Sequence, residues 1–471
     1  MKKVVSLTLA ILMLIGLCAC GKKSKDSSLM VGFGRAVITP TVSVPLGGYG
    51  NVESRMSENV LDDLMGTCIA FTEGDQTILM FSVDAIRSVE RWTTALRKRV
   101  ERELGVPAEN VMVMSTHTHS APELTSNMEC ITVNYWKTYM DGLVAAAKDA
   151  LDDRASATLY AGKTEVKGMN FVRHYLLNDG TYAGSNFGDW SSGIKAHATQ
   201  NDPEMQLVKI DRAGDKKDVV MMNWAAHPCF TGGATVKDIS SDYIGTCRTA
   251  FEKQTGMSFF FIQAAAGNQN GFSLIDSEGP ALDNQSYGTK LAEAAIAALD
   301  GVKKVEGSGL KVTQKKVLYD TNTGSTEKRA EAQQIINLWK SSGDREAANA
   351  LARQYGISSV YEAQAILNRL SNSQIKTKQI IMNVTRLGGI GFVHVPWEMF
   401  TNQSVYIKEK SVFETTIIAT MSNDAYGYFP SKEAYEYNGS GCYESYGAQF
   451  KKGVAEDMAD ELLNMLKGIK N

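Results

Sequence analysis

Residues Val111 to Glu123 read VMVMSTHTHSAPE, and this stretch indicates both the kind of fold and the place of a site. Its first four residues, Val111 to Met114, are all apolar, which is typical of a strand buried on both faces of a sheet. A polar run then continues the chain to His119. Because side chains alternate with a period of two in extended backbone, we predict that His117 and His119 point the same way at the end of this strand. Open α/β sheets bind their ligands at that edge.

Two explanations of this histidine pair are open from the residues alone. Imidazole is the commonest metal-binding side chain, and a pair at positions i and i+2 can face one ion. Alternatively, backbone carbonyl groups satisfy a buried pair. The chain has only six histidines, and His227 and His394 also come directly after apolar runs. This distribution favours a metal site to which several strands contribute.

The beginning of the chain has the pattern of a bacterial lipoprotein signal. Lysines stand at positions 2 and 3, an apolar segment runs from Val4 to Leu17, and Cys18-Ala19-Cys20 follows. We predict that residues 1–19 are a signal peptide, that the chain is cleaved directly before Cys20, that Cys20 is acylated and that residues 20–29 are a flexible tether. The alternatives are an ordinary signal peptide or a single anchoring helix. The prediction places the protein at the extracytoplasmic face of a bacterial cell membrane, anchored by lipid.

Composition limits the kinds of partner. The formal net charge is −3 and charges of both signs are mixed along the chain, which argues against a nucleic-acid partner. Nothing in the sequence predicts a protein partner. Beyond the signal, no segment approaches the roughly 20 consecutive apolar residues that span a bilayer. The cysteines after Cys20 are odd in number and predict no disulfide framework; they are Cys68, Cys130, Cys229, Cys247 and Cys442.

Strand-like and helix-like segments alternate along residues 30–471, which we predict to form one α/β domain. The expected architecture is a mixed or largely parallel sheet with flanking helices, and a site built from loops at strand ends. The helix from Ser88 to Leu104 is expected to have Ser88 as its N-cap. Gly168 to Gln200, rich in glycine and aromatic residues, is predicted to be a binding loop. Residues 326–370 are predicted to be helical, as an insertion or lid or as a solvated hairpin.

Further segments place polar groups where a strand meets a loop. Each taken separately is explained by caps, turns or packed aromatic rings. Together they suggest that loops from several strands converge on nitrogen and oxygen ligands. Two imidazoles, a carboxylate and one more oxygen suit a catalytic zinc ion with a position open for water. The segments are Asn223 to Cys229, Gln263 to Gly271, Ile390 to Glu398 and Ser422 to Tyr428.

The order of these motifs along the chain resembles that of the neutral/alkaline ceramidases. The matching segments are Gly32 to Pro40 with Leu46 to Gly50, Ser115 to Pro122, Asn223 to Pro228, Val395 to Glu398 and Asn423 to Tyr428. The resemblance implies that residues 30–471 form a catalytic domain similar to the N-terminal domain of that family. It also implies a zinc enzyme of sphingolipid metabolism that hydrolyses the amide between a fatty acid and a sphingoid base.

Carried over to this chain, the resemblance implies a set of site residues. The zinc ligands are His117, His227, Glu398 and Tyr428. His119 lies near the scissile amide without holding the metal. Three further residues complete the predicted site: Arg173 as a substrate-orienting group, Tyr426 as the replacement for Tyr428 in a shifted register, and Asn270 at the position where ceramidases carry a serine beside the zinc.

The sequence therefore predicts a zinc-dependent hydrolase acting on ceramide or a related N-acyl lipid, with a small lipid-like amide as substrate. Asn270 in place of serine also supports a first alternative, a hydrolase of the same fold that cleaves a different amide or an ester. The second alternative is a non-catalytic ligand-binding lipoprotein, because tethered solute receptors begin with similar signals. Such a receptor needs no metal and has no reason to gather histidines and a carboxylate at strand ends.

Overall fold

The computed structural model describes residues 28–49, 54–275, 282–323, 327–371 and 374–470. The predicted signal peptide, the acylated Cys20 and most of the tether lie outside the described residues, as does Gly50. Within the described ranges, no helix is both long and apolar enough to cross a membrane.

Strands are distributed along the whole of the described chain, and several contain only two residues. They are β1 (Met30–Val37), β2 (Asn59–Val60), β3 (Met65–Glu73), β4 (Gln76–Val83), β5 (Val111–Ser115), β6 (Ala155–Glu165), β7 (Phe171–Val172), β8 (His174–Leu177), β9 (Tyr182–Gly184), β10 (Ile194–His197), β11 (Glu204–Arg212), β12 (Val219–Trp224), β13 (Asp238–Ile239), β14 (Ser258–Gln263), β15 (Gln269–Asn270), β16 (Lys303–Lys304), β17 (Leu310–Asp320), β18 (Thr377–Leu387), β19 (Ile390–His394), β20 (Glu398–Met399), β21 (Thr415–Ala419) and β22 (Tyr428–Phe429).

The α-helices connect these strands, and three of them follow one another between β17 and β18. They are α1 (Glu90–Leu104), α2 (Trp136–Asp152), α3 (Asp242–Thr255), α4 (Asn284–Ala298), α5 (Arg329–Ser342), α6 (Arg345–Gln354), α7 (Val360–Ser371), α8 (Thr401–Lys410), α9 (Tyr443–Tyr446) and α10 (Val454–Lys470).

The large sheet has the order β14-β12-β11-β6-β1-β3-β4-β5, with β16 paired to β6. The outermost pairs, β12 with β14 and β4 with β5, are parallel. The pairs between them are antiparallel. This mixed sheet with flanking helices confirms the predicted α/β fold, and of the two sheet arrangements that the sequence left open it is the mixed one.

Strand β5 is buried on both faces, as its apolar run predicts. Val111 and Val113 belong to an apolar cluster with the residues of α1 and α2. Met112 and Met114 point to the opposite face and join a cluster with residues of β19 and β21. On the helical face, α2 can approach β1 closely because Gly34 has no side chain: a Cβ there would lie 2.1 Å from the carbonyl oxygen of Ala146.

A second sheet, β17-β18-β19-β21, packs against the large one through this shared apolar cluster. Its outer face is covered by α8 and α10, while α1 to α4 cover the outer face of the large sheet. The chain therefore forms four layers, helix, sheet, sheet and helix, with a seam between the two sheets. Strand β17 was not predicted, because its side chains are mostly exposed or half-buried and carry several lysines, as is usual for an edge strand.

Two asparagines connect the sheets by hydrogen bonds near the seam. Asn223 in β12 donates from its Nδ2 to the carbonyl oxygens of Ile262 and Ile418, at 3.0 and 2.9 Å, and so joins β14 and β21. Asn423, just after β21, accepts the backbone N–H of Val113 with its Oδ1 at 3.0 Å. These bonds bring the ends of strands from both sheets to one place.

Two local predictions differ from the structure. Ser88 does not cap α1, which begins at Glu90 with Val89 before it. The Ser88 hydroxyl is buried and bonds to the Val113 carbonyl and to Ser115 Oγ, so it attaches the start of the helix to β5 instead. The predicted binding loop, Gly168 to Gln200, contains the strands β7 to β10. These strands are too short for an alternating pattern to be recognised in the sequence.

The helices α5, α6 and α7 enclose an apolar cluster of their own, formed by residues such as Ile335, Ala348 and Val360. They are connected to the rest of the protein mainly through α7, which packs beside α9. Arg369 on α7 donates to the carbonyl oxygens of Ser445 and Tyr446.

Candidate metal centre

Two histidine rings from different strands face each other at the edge of the large sheet. His117 follows β5 and His227 follows β12, and their Nε2 atoms are 3.1 Å apart. The Nδ1 atom of His117 lies 2.6 Å from the carbonyl oxygen of Ile86, and that of His227 lies 2.8 Å from the carbonyl oxygen of Ala266. A carbonyl oxygen only accepts hydrogen bonds, so both Nδ1 atoms carry the hydrogen. In the neutral rings the two Nε2 lone pairs therefore face each other.

Glu398 adds a third acceptor at the same point. Its Oε2 lies 3.2 Å from Nε2 of His117 and 3.6 Å from Nε2 of His227. Burial and the positive charge of Arg173 lower the pKa of His227 well below its ordinary value. Burial raises the pKa of Glu398, but His117, Arg173 and Tyr428 offset this, and the carboxyl stays below its ordinary pKa.

These residues fit a metal ion. A single proton between the three acceptor atoms satisfies two of them, whereas one cation satisfies all three. Metal-binding histidines typically donate their other ring N–H to a carbonyl or carboxylate, as His117 and His227 do. Two nitrogens bound to one tetrahedral zinc lie about 3.4 Å apart, which is close to the observed 3.1 Å.

Tyr428 lies beside the carboxylate because the two-residue strands β20 and β22 are parallel and pair Glu398 with Tyr428. Tyr428 helps to lower the pKa of Glu398, and Cζ of Arg173 lies 5.4 Å from the centroid of its ring. The structure thus brings together all four of the residues that the sequence predicted as metal ligands. Burial, together with the charge of Glu398, raises the pKa of Tyr428, so the phenol is protonated in the metal-free arrangement.

His119 stands next to the pair rather than between its members. Its ring centroid is 5.0 Å from that of His117 and 5.0 Å from that of His227. Both of its ring nitrogens are buried and have no hydrogen-bond partner among the described residues. Burial, followed by the charge of His117, lowers its pKa well below the ordinary value. A neutral imidazole with two unused nitrogens is available to a ligand, a metal ion or a proton in transfer.

The two rings of the His-Thr-His motif meet for a different reason from the one the sequence suggested. Strand β5 ends at Ser115, and His117 has a left-handed backbone with φ of 70°. The backbone N–H of His117 bonds to the Ala85 carbonyl, and that of His119 to the Pro228 carbonyl. A turn, not an extended strand, brings the rings together. Such a conformation costs a non-glycine residue about 1–3 kcal/mol and is found mostly at functional sites.

Arg173 comes from the junction of β7 and β8, within the predicted binding loop. Its Nε donates to Glu444 Oε1 at 2.8 Å, and its NH2 group donates to the Gly267 carbonyl at 2.8 Å. The side chain is only 14% exposed. The structure therefore places the predicted substrate-orienting group beside Tyr428, with its guanidinium fixed at two points.

The remaining predicted residues have different positions. Asn270 in β15 is bridged to His227 through the backbone, and its Oδ1 is buried without a partner among the described residues. Tyr426 is directed elsewhere: its hydroxyl donates to the Gln379 carbonyl at 3.3 Å, and Lys378 lies over its ring. His394 is fully buried in the second sheet, where its Nε2 lies 3.1 Å from Thr385 Oγ1.

Several residues around the site were not found from the sequence. Glu444 lies in the four-residue helix α9, where no periodic pattern or motif distinguishes it. Tyr49 meets the His119 ring edge-on at 5.0 Å and donates to the Cys229 carbonyl. Arg55 lies over the Tyr49 ring and donates to the His119 carbonyl. Tyr49 lies in the Leu46 to Gly50 motif, which was the available signal for this part of the site.

Comparison with known proteins identifies the family of this chain. A profile of the neutral/alkaline non-lysosomal ceramidase N-terminal domain matches residues 29–272. The chain belongs to this family. The resemblance predicted from the motifs is confirmed, and so is the expectation of a hydrolase rather than a non-catalytic binding protein.

Solved structures show the same fold for this ceramidase-family chain. A crystal structure of neutral ceramidase from Pseudomonas aeruginosa is similar with a TM-score of 0.67 and 16% sequence identity, over 94% of this chain and 74% of that one. A ceramidase complexed with C2 gives a TM-score of 0.69 and 16% identity, over 94% and 76% of the two chains. No curated protein matched the sequence.

The substitution Gly48→Ala tests the role of His119. Gly48 has φ of 104°, and a Cβ there would lie 2.6 Å from Cγ and Nδ1 of His119. The ring must shift, and a displacement of about 1 Å of a reacting group can lower turnover about a hundredfold. We expect the variant to lose amide hydrolysis. Measuring the bound metal as well assigns the role of His119. Loss of turnover and of bound metal indicates a metal ligand, whereas loss of turnover alone indicates a group that transfers protons.

The matched control is Gly214→Ala. Gly214 also has a positive φ, of 75°, but no heavy atom lies within 4 Å of its ideal Cβ position. In this variant the alanine has a strained positive φ but its Cβ does not contact His119, so the variant should keep its turnover. Equal turnover in both variants would contradict a role for His119.

Proposed function

We propose that this ceramidase-family protein is a zinc-dependent hydrolase that cleaves the amide of ceramide or of a related N-acyl lipid into fatty acid and amine. The observation that carries the proposal is the pair of facing Nε2 atoms, 3.1 Å apart, beside the Glu398 carboxylate. His117, His227, Glu398 and Tyr428 would hold the ion, and this mixture of nitrogen and oxygen donors suits zinc. When bound, zinc supplies Lewis acidity towards water and the substrate carbonyl near neutral pH.

The protein's own groups perform the remaining steps. His119, which is neutral and has no hydrogen-bond partner among the described residues, accepts a proton from the attacking water and returns it to the leaving amine. Arg173 directs its positive charge towards the carbonyl oxygen, where negative charge develops. The Oδ1 of Asn270, which is buried and has no partner in the part of the chain that the structure describes, accepts the N–H of the scissile amide and so orients the bond.

Removing one ligand should remove the metal. We expect the purified protein to contain about one zinc ion per chain. We expect His117→Ala and His227→Ala each to lose most of it, together with hydrolysis, because each deletes one of the two facing nitrogens. Elemental analysis and fatty-acid release measure the two quantities. His197→Ala, which deletes an imidazole outside the cluster, is the matched control and should keep its zinc. Full zinc content in His117→Ala would contradict this ligand set.

A cavity beside Tyr428 favours a second candidate, a hydrolase of the same fold whose substrate has a more polar amine part than a sphingoid base. The cavity has a volume of about 470 Å³ and lies between Tyr428 and α7. Its walls include the phenols of Tyr361 and Tyr443 and the cations Arg369 and Lys378. These phenols and cations can pair with carboxylate or hydroxyl groups of a substrate, while the larger, apolar part of the wall suits an acyl chain. Asn270 in place of the family serine supports the same candidate.

A panel of amides distinguishes the two candidates. A soluble form that begins after Cys20 is incubated with ceramide, with N-acyl amino acids of equal chain length and with a simple acyl ester, in the presence and absence of a zinc chelator. We expect chelator-sensitive release of fatty acid, with ceramide the best substrate. Cleavage of N-acyl amino acids while ceramide stays intact would replace the first candidate by the second. No release from any compound would contradict both.

We also propose that the protein is anchored by lipid on Cys20 at the extracytoplasmic face of the membrane. The support is the basic start, the apolar segment and the Leu17 to Cys20 motif. In cells, Cys20→Ala should move the protein from the detergent phase to the aqueous phase on Triton X-114 partition, because a lipid chain adds about 0.8 kcal/mol of membrane affinity per buried methylene. The control Cys18→Ala should stay in the detergent phase. Detergent-phase Cys20→Ala protein from which residues 1–19 have been removed would exclude the anchor.

A further inference from the structure

A buried carboxylate outside the metal cluster holds Arg173. Glu444 has a side chain only 2% exposed, and its two oxygens have different partners. Oε1 accepts from Nε of Arg173 at 2.8 Å, and Oε2 lies 2.8 Å from Nε2 of His174. We propose that Glu444 is a positioning residue for hydrolysis, which fixes the guanidinium of Arg173 in the orientation that the substrate carbonyl needs. This inference rests on the proposed function.

The bonds of Arg173 determine the direction of its guanidinium. Glu444 holds the Nε edge, and the Gly267 carbonyl holds the NH2 group at 2.8 Å. Two hydrogen bonds to different edges of the planar guanidinium fix both the orientation of its plane and its rotation within that plane. The guanidinium also lies against the Tyr428 ring, whose centroid is 5.4 Å from Cζ of Arg173. The group is therefore aligned before any substrate enters.

The charge of Glu444 is maintained by its neighbours. Burial raises the pKa of this carboxyl, but His174 and Arg173 lower it to about 2. Burying a charged pair contributes little net stability compared with apolar residues of similar volume. A carboxylate at this position is thus better explained by the orientation that it imposes on Arg173 than by stabilisation of the fold.

His174 is itself immobilised by aromatic rings, so it gives Glu444 a fixed support. Its ring centroid lies 5.4 Å from that of Phe187, 5.7 Å from that of Phe400 and 5.7 Å from that of Tyr437. The three rings surround an imidazole that is 2% exposed. The position of Arg173 is therefore set through Glu444 by a rigid aromatic cluster.

The short helix that carries Glu444 is fixed from the other side by α7. Arg369 donates to the Ser445 carbonyl, which lies next to Glu444 in the chain. Ser358, just before α7, donates to the Tyr446 hydroxyl at 2.6 Å. The three helices α5 to α7 thus support the residue that positions Arg173.

A second metal site is the competing explanation of this cluster, because ligand atoms of His174, Cys442 and Glu444 lie within 4.8 Å of one another. Arg173 opposes it: its guanidinium already bonds to the Glu444 carboxylate, and its positive charge repels a further cation. The geometry therefore points to a charge-paired support for Arg173.

The test compares Glu444→Gln with the native enzyme on whichever amide of the panel the native enzyme cleaves. The variant keeps the shape of the side chain and removes its charge. We expect kcat to fall about a hundredfold, as misplacing a reacting group does, with zinc content unchanged. Glu444→Asp should recover part of the loss. In Arg173→Met, adding Glu444→Gln should lower kcat by no more than about twofold, because the group that Glu444 positions is already absent.

The control Glu252→Gln removes another carboxylate that pairs with an arginine, Arg35, away from the site, and should leave kcat unchanged. A crystal structure of Glu444→Gln gives a readout that does not depend on activity: we expect the guanidinium of Arg173 to have left the Gly267 carbonyl. Native kcat in Glu444→Gln, additive losses in the double variant or an unmoved guanidinium would each overturn the proposal. Absence of zinc or hydrolysis in the native protein would contradict the proposed function instead, and the crystal structure would still decide on Glu444.

Discussion

The opposition of two imidazole lone pairs is the constraint on which the rest of the site depends. Each ring is held in one tautomer by a backbone carbonyl behind it, at 2.6 and 2.8 Å, so neither can turn its N–H towards the other. With Glu398 beside them, the repulsion between these atoms must be balanced by a cation or relieved by movement. Because the fold holds the two rings rigidly, a cation between them is more favourable than movement of the rings.

That rigidity comes from the seam between the two sheets. The histidines leave strands of the large sheet, whereas Glu398 and Tyr428 follow strands of the second sheet. Asn223 and Asn423 connect the two sheets by side-chain hydrogen bonds close to these strand ends. Two local features result from this crowding of strand ends. His117 has a positive φ, and Gly48 has no Cβ, which lets the backbone lie close to the His119 ring.

Much of this arrangement could be predicted from the sequence, because apolar runs identify buried strands and the chemistry follows each run directly. The apolar Val111 to Met114 predicted the buried strand β5, and the motifs after it predicted the residues that meet around His117. The long strand β17 could not be predicted, because an edge strand with exposed lysines lacks the alternation of a half-buried one. Glu444 could not be predicted either: its role depends on partners about 270 positions away along the chain. The turn at His117 also has no local signal.

The division of the site between the sheets bears on where the working unit of this protein ends. The family match covers residues 29–272 and so includes both facing histidines, His119 and Arg173. Glu398, Tyr428 and Glu444 all come later in the chain. A boundary drawn from sequence similarity would therefore cut through the site and separate the nitrogen donors from the oxygen donors. Neither segment alone contains all four residues of the proposed ligand set.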